Sequence, residues 1–317
     1  MIIKVIIPYF GKFPPYFDFF IESCRCNSEI SFLIFTDQIS LPNLPDNVII
    51  QTCSFEDIKK LVQNKLALDI KRLKAFSPYK LCDYKPAYGK IFEDYLTDAD
   101  FWGFCDVDLV FGRIFNVLSI KEFQKSERIL TQGHLTFYKN SERMKLMFLK
   151  NIKKGINFWD AISFNEPAFF DEIFMPAICR ANQVIQYGQN QFADILPQYS
   201  RLLVAPACTI SNHPDQRFYW QQGRLFQSYV DSKEEVRQEI MYIHLQKRPL
   251  LPYYDKKELQ GDDRIFFTPQ GIFSSFQYDI GTETENKYHV KQYQKKRWKS
   301  LTLRKIWVKF KIKQLGR

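Results

Sequence analysis

The feature that most constrains the fold is an apolar strand, Phe101 to Cys105, that runs straight into Asp106-Val107-Asp108 after three earlier strand-like runs. Ile2 to Ile7 is β-branched and stops at Pro8, Ser31 to Phe35 closes on Thr36-Asp37, and Val48 to Gln51 is the third. Pro14 and Pro15 stand at the start of a helix through Phe17, Phe20 and Ile21. Phe55 to Ile70 repeats Ile58, Leu61, Val62, Leu66 and Ile70 at helical spacing. This order predicts an α/β fold, a mixed and mostly parallel sheet flanked by helices.

The next stretch, Pro78 to Lys90, reads as a polar loop entering a helix near Ile91 to Leu96. Beyond Gly112 the pattern loosens. Ile129 to Tyr138 reads as strand and loop, Ser141 caps a helix to about Leu149, Glu166 to Ile178 is helical, and Leu202 to Ala205 and Met241 to Leu245 are strands.

With 317 residues the chain can bury one large core, and 45% hydrophobic residues with 30 Phe and 17 Tyr exclude a disordered protein. Its charge of +10 is uneven: twelve of the 45 Lys and Arg fall in 287–317, which holds no acidic residue. The expected organisation is therefore a domain over 1–286 and a basic tail over 287–317. No stretch reaches the roughly 18 apolar residues of a membrane span, and the opening MIIKVIIPYFG lacks a signal-peptide cleavage site. Seven scattered cysteines, with only Cys24 and Cys26 close together in a helical stretch, form no metal or disulfide framework. A cytoplasmic protein is expected.

Asp106 and Asp108 follow a buried strand, the place where open α/β sheets bind ligands. Two carboxylates so placed repel each other and lose hydration, and a divalent cation, Mn²⁺ or Mg²⁺, relieves both penalties. Such a cation can carry diphosphate oxygens and neutralise the charge that grows on a departing nucleoside diphosphate. His244, in Met-Tyr-Ile-His-Leu-Gln-Lys-Arg-Pro (241–249), supplies an imidazole as third metal ligand, with Lys247 as a point charge and Arg248 as a fork for the diphosphate. In the loop before the acidic strand, Lys80, Lys85 and Tyr88 suit phosphate and Asp83 suits a ribose or sugar hydroxyl. Pro8, Tyr9, Phe10 and Asp37 follow the first two strands and border the nucleotide. FWDAISFNEPAFFDEIF resembles a sugar-binding surface, and in it Glu166 is the choice for a donor-sugar or acceptor contact; Asp171 and Glu172 belong to that surface or face solvent, and His134 is structural or borders the same pocket.

The pieces IIPYFG (6–11), FLIFTD (32–37), KLCDYKPAYG (80–89), WGFCDVDLVFG (102–112) and YIHLQKR (242–248) together resemble the GT-A class of glycosyltransferases, and more narrowly bacterial enzymes of capsular and other surface polysaccharide synthesis. The resemblance implies a Rossmann-like GT-A fold and a nucleoside-diphosphate sugar donor, with uridine as the nucleoside. It also implies metal ligation by Asp108 and His244 with Asp106 between ribose and metal, and Lys247 on the diphosphate. Asp106, Asp108 and Glu166 form the expected catalytic set. The acceptor is a saccharide or lipid-linked saccharide. Some retaining members close their site with His-x-x-Gly-x-x-Lys-Pro-Trp; here the spacing is shorter and that Gly and Trp are missing, so stereochemistry stays open.

The tail KKRWKSLTLRKIWVKFKIKQLGR places aromatic and basic residues together, which suits the inner face of an anionic membrane and peripheral attachment there. Ile306, Val308, Phe310 and Ile312 alternate with a period of two, so a one-sided helix is not assured. A nearly neutral body argues against nucleic acid as partner. Two alternatives remain at this stage. One is a haloacid-dehalogenase-type phosphohydrolase with Asp106 as nucleophile, weakened because that nucleophile normally closes a first strand. The other is a non-catalytic saccharide-binding module.

Overall fold

The computed structural model describes residues 1–38, 43–68, 76–152, 155–275, 283–299 and 310. Its main sheet draws on β1 (Ile3–Pro8), β2 (Ile30–Thr36), β3 (Val48–Thr52), β4 (Phe101–Cys105), and, after β5 (Leu109–Phe111), on β6 (Arg128–Gln132), β7 (Leu135–Lys139) and β8 (Gln186–Tyr187). The strand order is β3-β2-β1-β4-β7-β6-β8. The first four of these run parallel, and β7 lies antiparallel to β4 and β6.

Alternation of side chains across the pleat gives this sheet two apolar faces. Ile6, Leu33, Phe35, Trp102 and Phe104 pack on one side with Tyr88, Ile91 and Phe92. Val5, Ile7, Phe32, Ile34 and Phe101 pack on the other with Phe17, Phe20 and Cys24 of helix α1 (Phe17–Arg25). Helix α2 (Phe55–Lys65) starts on a reciprocal capping box between Ser54 and Asp57. It ends earlier than its apolar repeat suggests, because Leu66 caps it and Ala67 turns left-handed at φ 50°.

The chain then forms β9 (Ala193–Asp194), β10 (Arg217–Gln221), β11 (Arg224–Asp231), β12 (Glu234–Ile240), β13 (Tyr242–His244), β14 (Leu251–Tyr253), β15 (Ile265–Phe267) and β16 (Gly271–Phe273). A second sheet runs β12-β11-β10-β15-β16-β14, and a small one joins β5, β13 and β9. The second sheet is antiparallel except for β14 on β16. The architecture is thus mixed α/β with flanking helices; the expected mostly parallel character holds for the main sheet, where β1 to β4 and the β6–β8 pair run parallel, and not for the second sheet. Leu202 to Ala205 is not a strand; Val204 makes only an isolated bridge to Ile195. Glu283–Lys299 is helical, tied down where Asn286 Oδ1 accepts from Ser200 and Arg201 N–H groups. Of the alternating segment 306–312 only Phe310 falls among the described residues, and it is exposed.

Pro78 to Lys90 is not a polar loop but a succession of short helical turns, which continues to Tyr95 where a helix was expected. Two of its predicted ligand groups are consumed within the fold. Lys80 Nζ lies 2.7 Å from Asp83 Oδ2 and donates to the carbonyls of Ala161 and Glu166 at 2.7 and 2.8 Å. Asp83 accepts the N–H groups of Ala168 and Phe170. Both side chains are almost completely buried, so neither meets a nucleotide, and the expected phosphate and ribose contacts at Lys80 and Asp83 are corrected to a structural clamp. Removing one member of a buried pair leaves an uncompensated charge. Asp83→Ala should lower unfolding free energy in urea by about 3–5 kcal/mol; a loss near zero would contradict the clamp.

Candidate metal and substrate site

Strand order reverses between β1 and β4, one connection leading outward through β2 and the other inward to β4, and ligands in open α/β sheets settle at the carboxyl ends of strands flanking such a point. A cavity of about 620 Å³ opens there. It is lined by the end of β1 (Pro8, Tyr9, Phe10), by Asp106, Val107 and Asp108 after β4, and by His244 to Pro249 after β13.

The small sheet makes the acidic site. In its register His244 lies opposite Leu109 of β5 on one side and Asp194 of β9 on the other. Asp108, one residue before β5, is therefore brought to one edge of the imidazole and Asp194 to the other. His244 Nδ1 is 2.8 Å from Asp194 Oδ1, and Nε2 is 3.4 Å from Asp108 Oδ1. One ligand atom each from Asp106, Asp108 and His244 come within 4.8 Å of one another. His134, Asp194 and His244 form a second such cluster, but Asp194 already holds His244 Nδ1 and His134 lies outside the cavity lining.

After β13 the backbone wraps Asp108. Gln246 and Lys247 both adopt positive φ, 52° and 58°, and Lys247 N–H donates to Asp108 Oδ2 at 2.7 Å while Leu245 N–H donates to the Asp108 carbonyl. Burial alone would raise the Asp108 carboxyl, yet the bond to His244, its positive charge and the Lys247 N–H hold it at about 2. Burial likewise opposes a charge on His244, but Asp108 and Asp194 outweigh it and raise the imidazole to about 10. His134, whose ring centroid is 4.6 Å from that of His244, is driven the other way by burial and by that cation; its Nδ1 pairs with Tyr242.

Several expected ligands hold other partners. Lys85 lines the cavity, but its ammonium is 2.7 Å from both Asp106 Oδ1 and the Gly133 carbonyl. Burial works against that charge and Asp106 and Asp171 overcome it, keeping Lys85 protonated, so it steadies Asp106 rather than waiting for phosphate. Arg248 is also corrected: its guanidinium donates to the carbonyls of Leu196, Tyr199 and Ser200, and desolvation lowers it to about 10. The Tyr88 hydroxyl donates to Leu81, which leaves the ring as cavity wall. Asp37 does not line the cavity; it accepts from Gly11 N–H at 3.5 Å and braces the loop after β1. Glu166 is not brought there either, and its carbonyl belongs to the Lys80 clamp. Lys247 does reach the cavity, its ammonium 4.1 Å from the Tyr79 ring centroid.

Asp194 escaped sequence reasoning because its strand is two residues long and carries no periodicity. Of the two readings open for Asp171 and Glu172, solvent or a binding surface, the structure has both lining the cavity, as do Lys12 and Tyr79, which the sequence did not single out.

A family model described as a family of unknown function, DUF6625, matches residues 5–275. Among solved structures, the galactosyltransferase LgtC, solved in complex with donor and acceptor sugar analogs, is similar at 12% identity and a TM-score of 0.24. The match covers 58% of this chain and 66% of that chain, just under two thirds of its length. No curated protein matches.

The two shifted groups give stability a pH dependence. Because His244 titrates near 10 when folded and near 6.5 when not, its contribution is complete below pH 6.5 and is lost as pH rises through about 10. Asp108 contributes above pH 3.8 and loses that contribution as pH falls through about 2. Urea unfolding of EDTA-treated protein should show stability falling from pH 6.5 to 10, and His244→Gln should lack most of that fall. Equal slopes would contradict the pairing.

Proposed function

We propose a function for a chain that belongs to the DUF6625 family, a family of unknown function: metal-dependent transfer of a sugar from a nucleoside diphosphate, with uridine as the nucleoside, to a saccharide or lipid-linked saccharide acceptor in surface polysaccharide synthesis, on a GT-A fold. The observation that carries this reading is the convergence of Asp106, Asp108 and His244 within 4.8 Å in the lining of a cavity at the sheet's switch point.

The donor set fits a divalent cation such as Mn²⁺ or Mg²⁺. Two carboxylates and one imidazole supply hard and intermediate donors, and Asp194 on Nδ1 fixes the ring with Nε2 toward Asp108. When bound, the cation supplies neutralisation of the charge that develops on the departing diphosphate.

The remaining roles belong to the chain. Lys12 and Lys247 line the cavity, and no carboxylate among the described residues pairs with either ammonium, so both are available to diphosphate oxygens. The Tyr9 ring, stacked on Phe13 at 5.0 Å, is held at the cavity by that stack and by its hydroxyl donating to the Lys12 carbonyl, a fixed face for a nucleobase. Lys85 keeps Asp106 in place, its ammonium 2.7 Å from Asp106 Oδ1. The 287–317 tail is assigned to an anionic membrane surface, the source of a lipid-linked acceptor; in its helical part Tyr288 and Trp298 stand exposed among lysines. Among the described residues no helix is long and apolar enough to cross a membrane.

Incubation with a panel of nucleotide sugars and Mn²⁺ should release nucleoside diphosphate slowly without acceptor. Asp108→Ala should reduce that release by about 100-fold or more, since it removes a ligand and the anchor of the Lys247 turn. Absence of binding and turnover across the panel, or turnover of phosphomonoesters instead, would contradict the proposal.

A further inference from the structure

A second pair of carboxylates, Asp171 and Glu172, lines the same cavity on a different segment from the metal-site residues. They sit in the π-helical turn Phe170–Phe174, which the chain enters through Phe169 at φ 54° and ψ 45°. A bulky aromatic residue rarely takes this left-handed conformation, and π-turns and strained residues gather where function requires them. The strain is held from both sides, because Asp83 accepts the N–H groups of Ala168 and Phe170 on either side of Phe169. The buried Lys80–Asp83 clamp thus serves the cavity indirectly, by fixing this turn.

The two carboxylates face different surroundings. Asp171 is buried, with its Oδ2 3.6 Å from Lys85 Nζ. Glu172 opens onto the cavity, and among the described residues its carboxylate has no hydrogen-bond or ion-pair partner. Gly133 makes the approach of both possible: an ideal Cβ there would lie 2.5 Å from Glu172 Oε1 and 2.6 Å from Asp171 Oδ2. The same residue's carbonyl receives Lys85, whose ammonium holds Asp106. Glu172 is thereby linked to the metal-site wall through Gly133 and Lys85, yet keeps its own carboxylate uncommitted. Although water reaches it, the cavity walls thin its hydration and raise its proton affinity; Lys85 works against this, and the charges of Asp106 and Asp194 add to it.

We infer that Glu172 is the general base of the transfer, taking the proton of the attacking hydroxyl, and that the sugar is passed in a single displacement with inversion at its anomeric carbon. This rests on the glycosyltransferase reading above. The hydroxyl oxygen forms its bond to the anomeric carbon as the bond from that carbon to the diphosphate oxygen breaks. The bonding electron pair leaves with the nucleoside diphosphate, and the hydroxyl proton passes to Glu172. A carboxylate beside the acceptor is what an inverting reaction needs. Asp171 is a positioning residue that keeps Lys85 between the two acidic walls.

The test uses the full chain with Mn²⁺, water as acceptor, and α-linked UDP-glucose, UDP-galactose and UDP-N-acetylglucosamine as donors. Proton NMR at early times should show the β-anomer of the released sugar first. Glu172→Gln should bind Mn²⁺ and UDP as the wild type does, which reports an intact site, and should hydrolyse the donor about 100-fold more slowly. Azide carries no proton to remove, so it should restore turnover of Glu172→Gln about tenfold or more and give the β-glycosyl azide. First release of the α-anomer, unchanged hydrolysis by Glu172→Gln, or loss of hydrolysis without azide rescue would each overturn the assignment. Failure of the wild type to bind or turn over any of the three donors removes the glycosyltransferase reading and this inference with it. Wild-type turnover with an unaffected variant removes the base assignment alone.

Discussion

The imidazole of His244, held between Asp108 and Asp194, is the interaction on which the rest of the site depends. It arises from register: β13 lies antiparallel to β5 and parallel to β9, which sets one carboxylate on each side of one ring. Without that ring, two buried or half-buried carboxylates would face each other across the end of the sheet with little hydration. Asp108 then ties down the turn through Leu245 and Lys247, and that turn brings the Lys247 ammonium to the cavity.

Buried charged groups in and behind the cavity wall are likewise held by fixed partners. Lys85 stands between Asp106 and Asp171, Lys80 pairs with Asp83, and the terminal nitrogens of Arg248 donate to three carbonyls. A buried pair contributes little net stability over an apolar substitute, but breaking one leaves a stranded charge. These pairs therefore fix geometry. They hold Asp106 beside the metal site, the 161–170 segment against the helical turns, and the strained Phe169 turn at the cavity wall. What stays uncommitted, Glu172, Lys12 and Lys247, faces the space where substrate would lie.

The first half of the fold was legible because its strands are continuous apolar runs and its helices carry a clear period. Asp106, Asp108 and His244 were legible too, since strand-then-acid and an apolar-flanked His are local patterns. The second sheet was not: strands such as Glu234–Ile240 are mostly polar and packed on one side only, so they resemble loop. Asp194 has no pattern of its own and acquires its place only through pairing with β13. Lys80, Asp83, Lys85 and Arg248 were misread for one shared reason. A sequence shows that a charge is present near a site but not whether a buried carbonyl or carboxylate already holds it.

Mn²⁺ binding with simultaneous proton counting tests the central claim most directly. Because Asp108 and Asp194 keep His244 protonated near neutrality, and a metal needs the neutral ring, isothermal titration in buffers of different ionisation enthalpy should show about one proton released per Mn²⁺, with affinity rising about tenfold per pH unit between pH 6.5 and 9. His244→Ala should lose both the proton release and the pH dependence. Undetectable Mn²⁺ binding, or binding that is independent of pH and unaltered in His244→Ala, would contradict a metal held by Asp106, Asp108 and His244.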